Sequence, residues 1–386
     1  MSERRVLIPF ILITLVTFFL SMSLQMTLPS FSVYLNSLDF PLAYIGMVSL
    51  SVAFSAMFFR PVSTYLNLKV GPVYTAMIGS VLYIIAFLIL VLTKNIMLVV
   101  LARILQGIGM GLGITILGSM IALIVPHEEL LKGMNIYSLF SASTGALGPY
   151  IGMFLIFGDN FIPLFSTALI VTIVGFILLI YMKVKIHLPV PEDIHTQKSG
   201  VPIYKSSAVF PALSGSFLAL VNAGIVSYIS LYAISIGIRN VGFFFLFNFV
   251  GLLISRVVLQ RILNAISLSW IFVLVGIGLA LMLVALTQFD TVFAWAIIAI
   301  IYGFLFNFMF TLLNTMALKN VPLSDKVAAN AFLFVCLDFG FFLGGIIWGQ
   351  VAGSYSLQTV FIFGAILITI SQALSAVVIW KKQIQF

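Results

Sequence analysis

Two ionisable side chains fall deep inside apolar stretches long enough to span a membrane: Arg103 and Asp338. An arginine at the centre of such a helix costs about 2.5–3.5 kcal/mol on insertion scales, so it persists where it faces a polar cavity or a partner. Arg103 therefore reads either as a group acting on a substrate or proton, or as a brace between helices one, four and five. Asp338 lies twelve residues beyond Lys326, ~18 Å along a helix, which puts it near mid-membrane. A carboxyl group there is suited to taking up and releasing a proton. The bland alternative is a hydrogen-bonding residue at a helix break, favoured by Gly340 and the Gly344–Gly345 pair. All other acids fall outside the apolar stretches: Glu3, Glu128, Glu129, Glu192, Asp193 and Asp325 at one face, Asp39, Asp159 and Asp290 at the other.

The elements that must position these groups are membrane helices. The chain is 62% hydrophobic and 7% charged over 386 residues, against about 25% charged in soluble domains. About 20 apolar residues cross a bilayer, and twelve such stretches can be drawn: 6–28, 42–65, 72–93, 96–124, 132–157, 161–183, 208–236, 242–263, 267–288, 291–318, 326–352 and 356–380. The expected fold is thus an all-α integral membrane protein. An N-terminal six-helix bundle, 1–183, is followed by a linker, 184–207, and a C-terminal bundle, 208–386. Of the 18 Lys and Arg, all but Lys94, Arg103 and Arg239 fall on one side if both termini are cytoplasmic, as the positive-inside rule requires. A multi-pass protein of a cell membrane is expected. The absence of any Asn-x-Ser/Thr acceptor suits a bacterial origin. The net charge of +8 is explained by this bias, not by nucleic acid. Cys336 is the one cysteine, read as a buried structural thiol. An offset of 196 pairs Gly46 with Gly242, Arg60 with Arg256, Gly107 with Gly303 and Gly148 with Gly344, an internal repeat.

Two motifs flank the buried arginine. Arg103-x-x-Gln106-Gly107-x-Gly109 continues to Gly111, its glycines permitting tight contact on one side of the helix. Gly145-x-x-Gly148-Pro149-x-x-Gly152 sets a proline inside the next span, where its missing donor is expected to kink the helix. In order and at this separation, the pair resembles the fourth-helix motif of the major facilitator superfamily and the fifth-helix motif of its drug/proton antiporter branch. The resemblance implies two parallel six-helix repeats with a substrate site at the midplane between them, and a monomer. It also implies a gating role for Gln106, Gly107, Gly145, Gly148, Pro149 and Gly152. The segment after helix two keeps Arg60, Lys69 and Gly71 of the family's gating motif. Thr64 and Leu68 replace its glycine and its acid, and Pro72 follows Gly71. The ion-pair lock ascribed to that motif is therefore not expected here.

Polar stripes suggest a cavity lining. Thr14, Thr17, Ser21 and Gln25 share one face of helix one; Asn307, Thr311 and Asn314 share one face of helix ten; helix seven adds Asn222 and Tyr228. Interhelical hydrogen bonding is the alternative role for each. The substrate cavity is accordingly expected at Ser21, Gln25, Arg103, Asn222, Tyr228, Asn307, Thr311, Asn314 and Asp338. Proton coupling is expected at Asp338 and Arg103. His127, His187 and His195 make no metal-ligand spacing, and no phosphate-cradling loop occurs. Neither an enzyme nor a cofactor is expected, and a proton gradient would supply the energy. The leading expectation is a proton-coupled exporter of small amphiphilic or zwitterionic molecules, drugs or a secreted metabolite such as a metallophore, conferring multidrug resistance in the first case. The alternatives are an importer or facilitator of a sugar or organic anion, with Arg103 as counter-ion, and a lipid-modifying membrane enzyme, which would need clustered intramembrane acids or histidines. A non-transporting receptor would need a sizeable soluble domain.

Overall fold

The computed structural model describes residues 2–125, 129–185, 208–238, 241–319, 321 and 326–382. Most of the expected linker lies outside these residues, as do His127, Glu128, His187, Glu192, Asp193, His195 and Asp325. The described chain is almost wholly helical: α1 Ser2–Thr27, α2 Ser30–Ser37, α3 Leu42–Val70, α4 Pro72–Leu92, α5 Ile96–Gly109 and α6 Thr115–Ile124. There follow α7 Leu130–Phe154, α8 Ile162–Lys185, α9 Val209–Ser235, α10 Gly242–Ala265, α11 Leu268–Gln288, α12 Val292–Lys319, α13 Lys326–Ser354 and α14 Leu357–Lys382. A π-helical turn, Met110–Ile114, joins α5 to α6 so that they form one span. Among the described residues, no strand forms beyond an isolated bridge between Phe157 and Asn160.

Among the described residues, eleven helices are long and apolar enough to cross a membrane. The stretch expected at 132–157 is the 25-residue helix α7, which falls short on apolarity. Asn135, four serines and threonines, four glycines and Pro149 dilute it. Such a helix stays in a membrane by turning its polar face to other helices. The sequence reading passed over α2, whose eight residues cannot span. It is ordered by burial of Phe31, Tyr34 and Leu35, one face at i, i+3, i+4.

The contacts divide the chain into two compact units, one of residues 1–30 and 51–197, the other of residues 31–50 and 198–386. The boundary falls inside α3, so its first turns belong with the second unit. In the first unit, α1 packs on α7 and α8, while α4 packs on α5 and α8. An apolar cluster of Leu12, Val16, Leu20, Ala76, Leu117 and Leu179 fills its centre. In the second unit, α9 pairs with α13, α10 with α12, and α11 with α14.

The repeat is visible in how glycines pack. A Cβ on Gly107 would strike the Val52 carbonyl, and a Cβ on Gly303 would strike the Asn248 carbonyl. Val52 and Asn248 are themselves 196 residues apart, so the same helix crossing is built once in each unit. The glycines after Arg103 serve two faces, not the one expected. Gly107 and Gly111 abut α3 at Val52 and Ala56, whereas Gly109 abuts Gly79 and Tyr83 of α4. A step of two residues turns a helix through about 200°, so alternate glycines must face opposite neighbours.

Candidate functional site

Arg103 is fully buried in α5. Its Nη1 donates to Gln106 Oε1 at 2.8 Å and to Thr27 Oγ1 at 3.4 Å, and its Nη2 donates to the Thr27 carbonyl at 3.5 Å. The i, i+3 spacing brings Gln106 beside the guanidinium. Thr27 ends α1, where a carbonyl without a helical donor is available. Gln106 Nε2 and the Tyr83 hydroxyl are also buried, with no hydrogen-bond partner among the described residues. The α5 motif therefore forms a polar knot between α1, α4 and α5.

The α7 motif lies against the same end of α1. A Cβ on Gly148 would come within 2.6 Å of Gln25 Cβ and 2.9 Å of the Met26 nitrogen, and one on Gly152 would strike the Met26 carbonyl. The nearest neighbour of Gly145 is the Gln25 amide, 3.8 Å from a notional Cβ. Gln25 is half-buried; Met26 and Thr27 follow it directly, so both motifs converge on residues 25–27. Farther along α1, Thr14 and Thr17 bond back to the carbonyls of Phe10 and Ile13. Ser21 is buried. Pro149 sits within an unbroken α7.

The remaining gating residues lie on α3 and at its junction with α4. Arg60 Nη1 donates to Thr115 Oγ1 at 3.1 Å, joining α3 to α6. Lys69 Nζ lies 4.6 Å from the Tyr65 ring centroid. Gly71, with φ 85, makes the turn into α4, a left-handed conformation that glycine adopts without strain.

In the second unit, Asp338 is half-buried on α13. The helix runs unbroken through it from Lys326 to Ser354, so Gly340 is not a break. Instead Gly340 abuts the Ser216 backbone of α9, and Gly344 abuts Leu220 and Ala223. These close approaches pin the Asp338 stretch of α13 to α9. Asn222 Oδ1 accepts from the Tyr302 hydroxyl at 3.1 Å. Asn307 and Thr311 bond along α12, to the carbonyls of Gly303 and Asn307. The Asn314 side-chain oxygen, Oδ1, is buried without a partner among the described residues. Tyr228 is fully buried; its hydroxyl accepts from the Gly46 nitrogen at 2.8 Å and donates to the Leu42 carbonyl at 3.2 Å. Cys336 is a half-buried free thiol.

Sequence reasoning missed Thr27, Tyr83 and Tyr302. Tyr302 stands five residues before Asn307 and off its stripe, and its partner is 80 residues away. It also belongs to a run of stacked rings, Tyr302, Phe306 and Phe310, that recur at i+4 along α12. That spacing was a readable signal.

The chain is 24% identical over 376 residues to an uncharacterized MFS-type transporter of Methanocaldococcus jannaschii, covering 92% of this chain and 94% of the relative. It is 23% identical over 359 residues to a staphylopine export protein of Staphylococcus aureus, covering 86% of each. Among solved structures, a POT family transporter in complex with 5-aminolevulinic acid superposes with a TM-score of 0.80 at 13% identity, over 97% of this chain and 96% of that one. The profile of the Major Facilitator Superfamily matches residues 13–336. With that match across most of its length, the membrane-length helices and the glycine crossing built once in each unit, the chain belongs to the Major Facilitator Superfamily and is a membrane transporter.

Proposed function

We propose that this transporter is a proton-driven antiporter that exports small amphiphilic or zwitterionic molecules by alternating access. The observation that carries the reading is the acid count: across the eleven spans, Asp338 is the only carboxylate. A proton carrier inside a membrane must be a titratable group, and intramembrane acids serve this role in pumps and transporters. The glycines at 340 and 344 fix the helix that bears it, so its protonation acts on a defined element. Arg103 is a fully buried cation of the first unit, held by Gln106 and Thr27. The solutes so exported are drugs or a secreted metabolite such as a metallophore. The relative named as a staphylopine exporter supports the outward direction.

In this mechanism, solute and proton compete for the protein in different protonation states of Asp338. Release of the proton favours solute binding, and reprotonation favours solute release, so a proton moving inward drives a solute outward. Antiport requires only that the two ligands disfavour each other, which is reciprocal by linkage.

The test uses everted membrane vesicles with an acidic interior. An exporter accumulates the solute in the lumen, and Asp338→Asn abolishes accumulation while leaving solute exchange without a gradient intact. Solute leaving the lumen together with protons would instead identify an importer of a sugar or organic anion. Equilibration indifferent to the gradient would identify a facilitator.

A further inference from the structure

On the first unit, α3, α4 and α8 enclose a groove of about 570 Å³. Its walls include Val70, Tyr74, Ile78, Val81, Leu82 and Phe176, and they are almost wholly apolar. It runs along α4 from Tyr74 to Leu82, ~12 Å at 1.5 Å per residue, most of one ~15 Å hydrocarbon leaflet. Tyr74, Ile78 and Val81 are exposed, so the groove opens away from the helix core.

One end of the groove is cationic. Lys183 Nζ lies 4.4 Å from the centroid of the Tyr74 ring, and Tyr74 is itself part of the wall. Lys69 precedes Val70, another wall residue, and its Nζ stacks on Tyr65. No Asp or Glu occurs anywhere in α3, α4 or α8, so no carboxylate on these elements balances the two ammonium groups. At the opposite end, Val81 and Leu82 give a purely apolar terminus. An elongated slot with a cationic mouth and an apolar end matches an acyl chain attached to an anionic headgroup.

We propose that this groove is a binding site for an anionic glycerophospholipid, with an acyl chain along Tyr74, Ile78 and Val81 and its phosphate on Lys183 and Lys69. The site is separate from the polar knot around Arg103 and independent of the solute carried. It would tie the α3–α4 junction to the end of α8 through the headgroup.

Native mass spectrometry of the full chain in micelles tests this, with phosphatidylglycerol and phosphatidylcholine of identical acyl chains supplied in equal amounts. The wild type retains one phosphatidylglycerol in preference to phosphatidylcholine. Lys183→Gln lowers that preference about five-fold and Lys69→Gln adds a smaller or equal loss, as expected per basic residue near an anionic surface. Ile78→Trp, which fills the groove at an exposed position, removes the retained lipid without lowering the melting temperature. Equal retention of both lipids by the wild type, or undiminished phosphatidylglycerol on Ile78→Trp, would overturn the proposal. So would a dimer mass that Ile78→Trp abolishes whatever the lipid, since a second copy would then be the occupant.

Discussion

The Tyr228 hydroxyl bridges the first turn of α3. It accepts from Gly46 N–H and donates to the carbonyl of Leu42, the residue four positions earlier. Gly46 and Leu42 are partners in the ladder of α3, which starts at Leu42, so the tyrosine of α9 bonds both ends of one step of another helix. Tyr228→Phe keeps the ring, which packs near Gly46, and deletes only the hydroxyl. Interhelical hydrogen bonds in membrane proteins average about 0.6 kcal/mol each, so two give about 1.2 kcal/mol. That corresponds to about an eight-fold change in a local opening equilibrium. It is an upper bound, because the Gly46-to-Leu42 step of the helix stays in place without the hydroxyl. Hydrogen exchange read by mass spectrometry should show peptides covering 42–50 exchanging up to eight-fold faster, with those of α11 and α14 unchanged. Unchanged exchange over 42–50, or acceleration spread evenly along the chain, would refute the reasoning.

Other outcomes follow from the packing and the polar knot. Arg103→Lys keeps the charge but loses the planar fork that reaches Gln106 and Thr27 together; it should lower stability by about 1–3 kcal/mol, read by thermal melting. Gly148→Ala should cost about 1–3 kcal/mol by overpacking α7 on Gln25. Gly113→Ala, whose Cβ would meet nothing nearer than 3.6 Å, should melt like the wild type. Asn314→Leu removes a buried oxygen that has no partner among the described residues; stability should hold or rise by about 1 kcal/mol, and a fall in transport at unchanged melting temperature would assign Asn314 to the solute.

Much of this architecture was legible because membrane helices announce themselves. Apolar length marked α1, α3, α4 and α8–α14, and the two charges inside such lengths, Arg103 and Asp338, stood out against a background nearly free of charge. Apolarity failed for α7, whose Ser138 and Ser143 bond their own helix and whose Gly148 and Gly152 pack on α1, and for α2, which is too short to register. Glycine spacing identified close contact but not its direction: Gly107 and Gly109 approach different helices, a fact that depends on angle, not on identity. Contacts distant in sequence left no local trace, as with Asn222 and Tyr302, or Tyr228 and the start of α3. The Thr14-to-Gln25 stripe shows the limit of periodicity, since Thr14 and Thr17 satisfy their hydroxyls on their own helix.

The central claim, that a proton carried on Asp338 drives export, is tested most directly by proton release from purified protein when candidate solutes are added, comparing wild type with Asp338→Asn. Antiport through Asp338 predicts solute-triggered release from the wild type and none from the variant. Solute binding to the wild type with no proton released would contradict it.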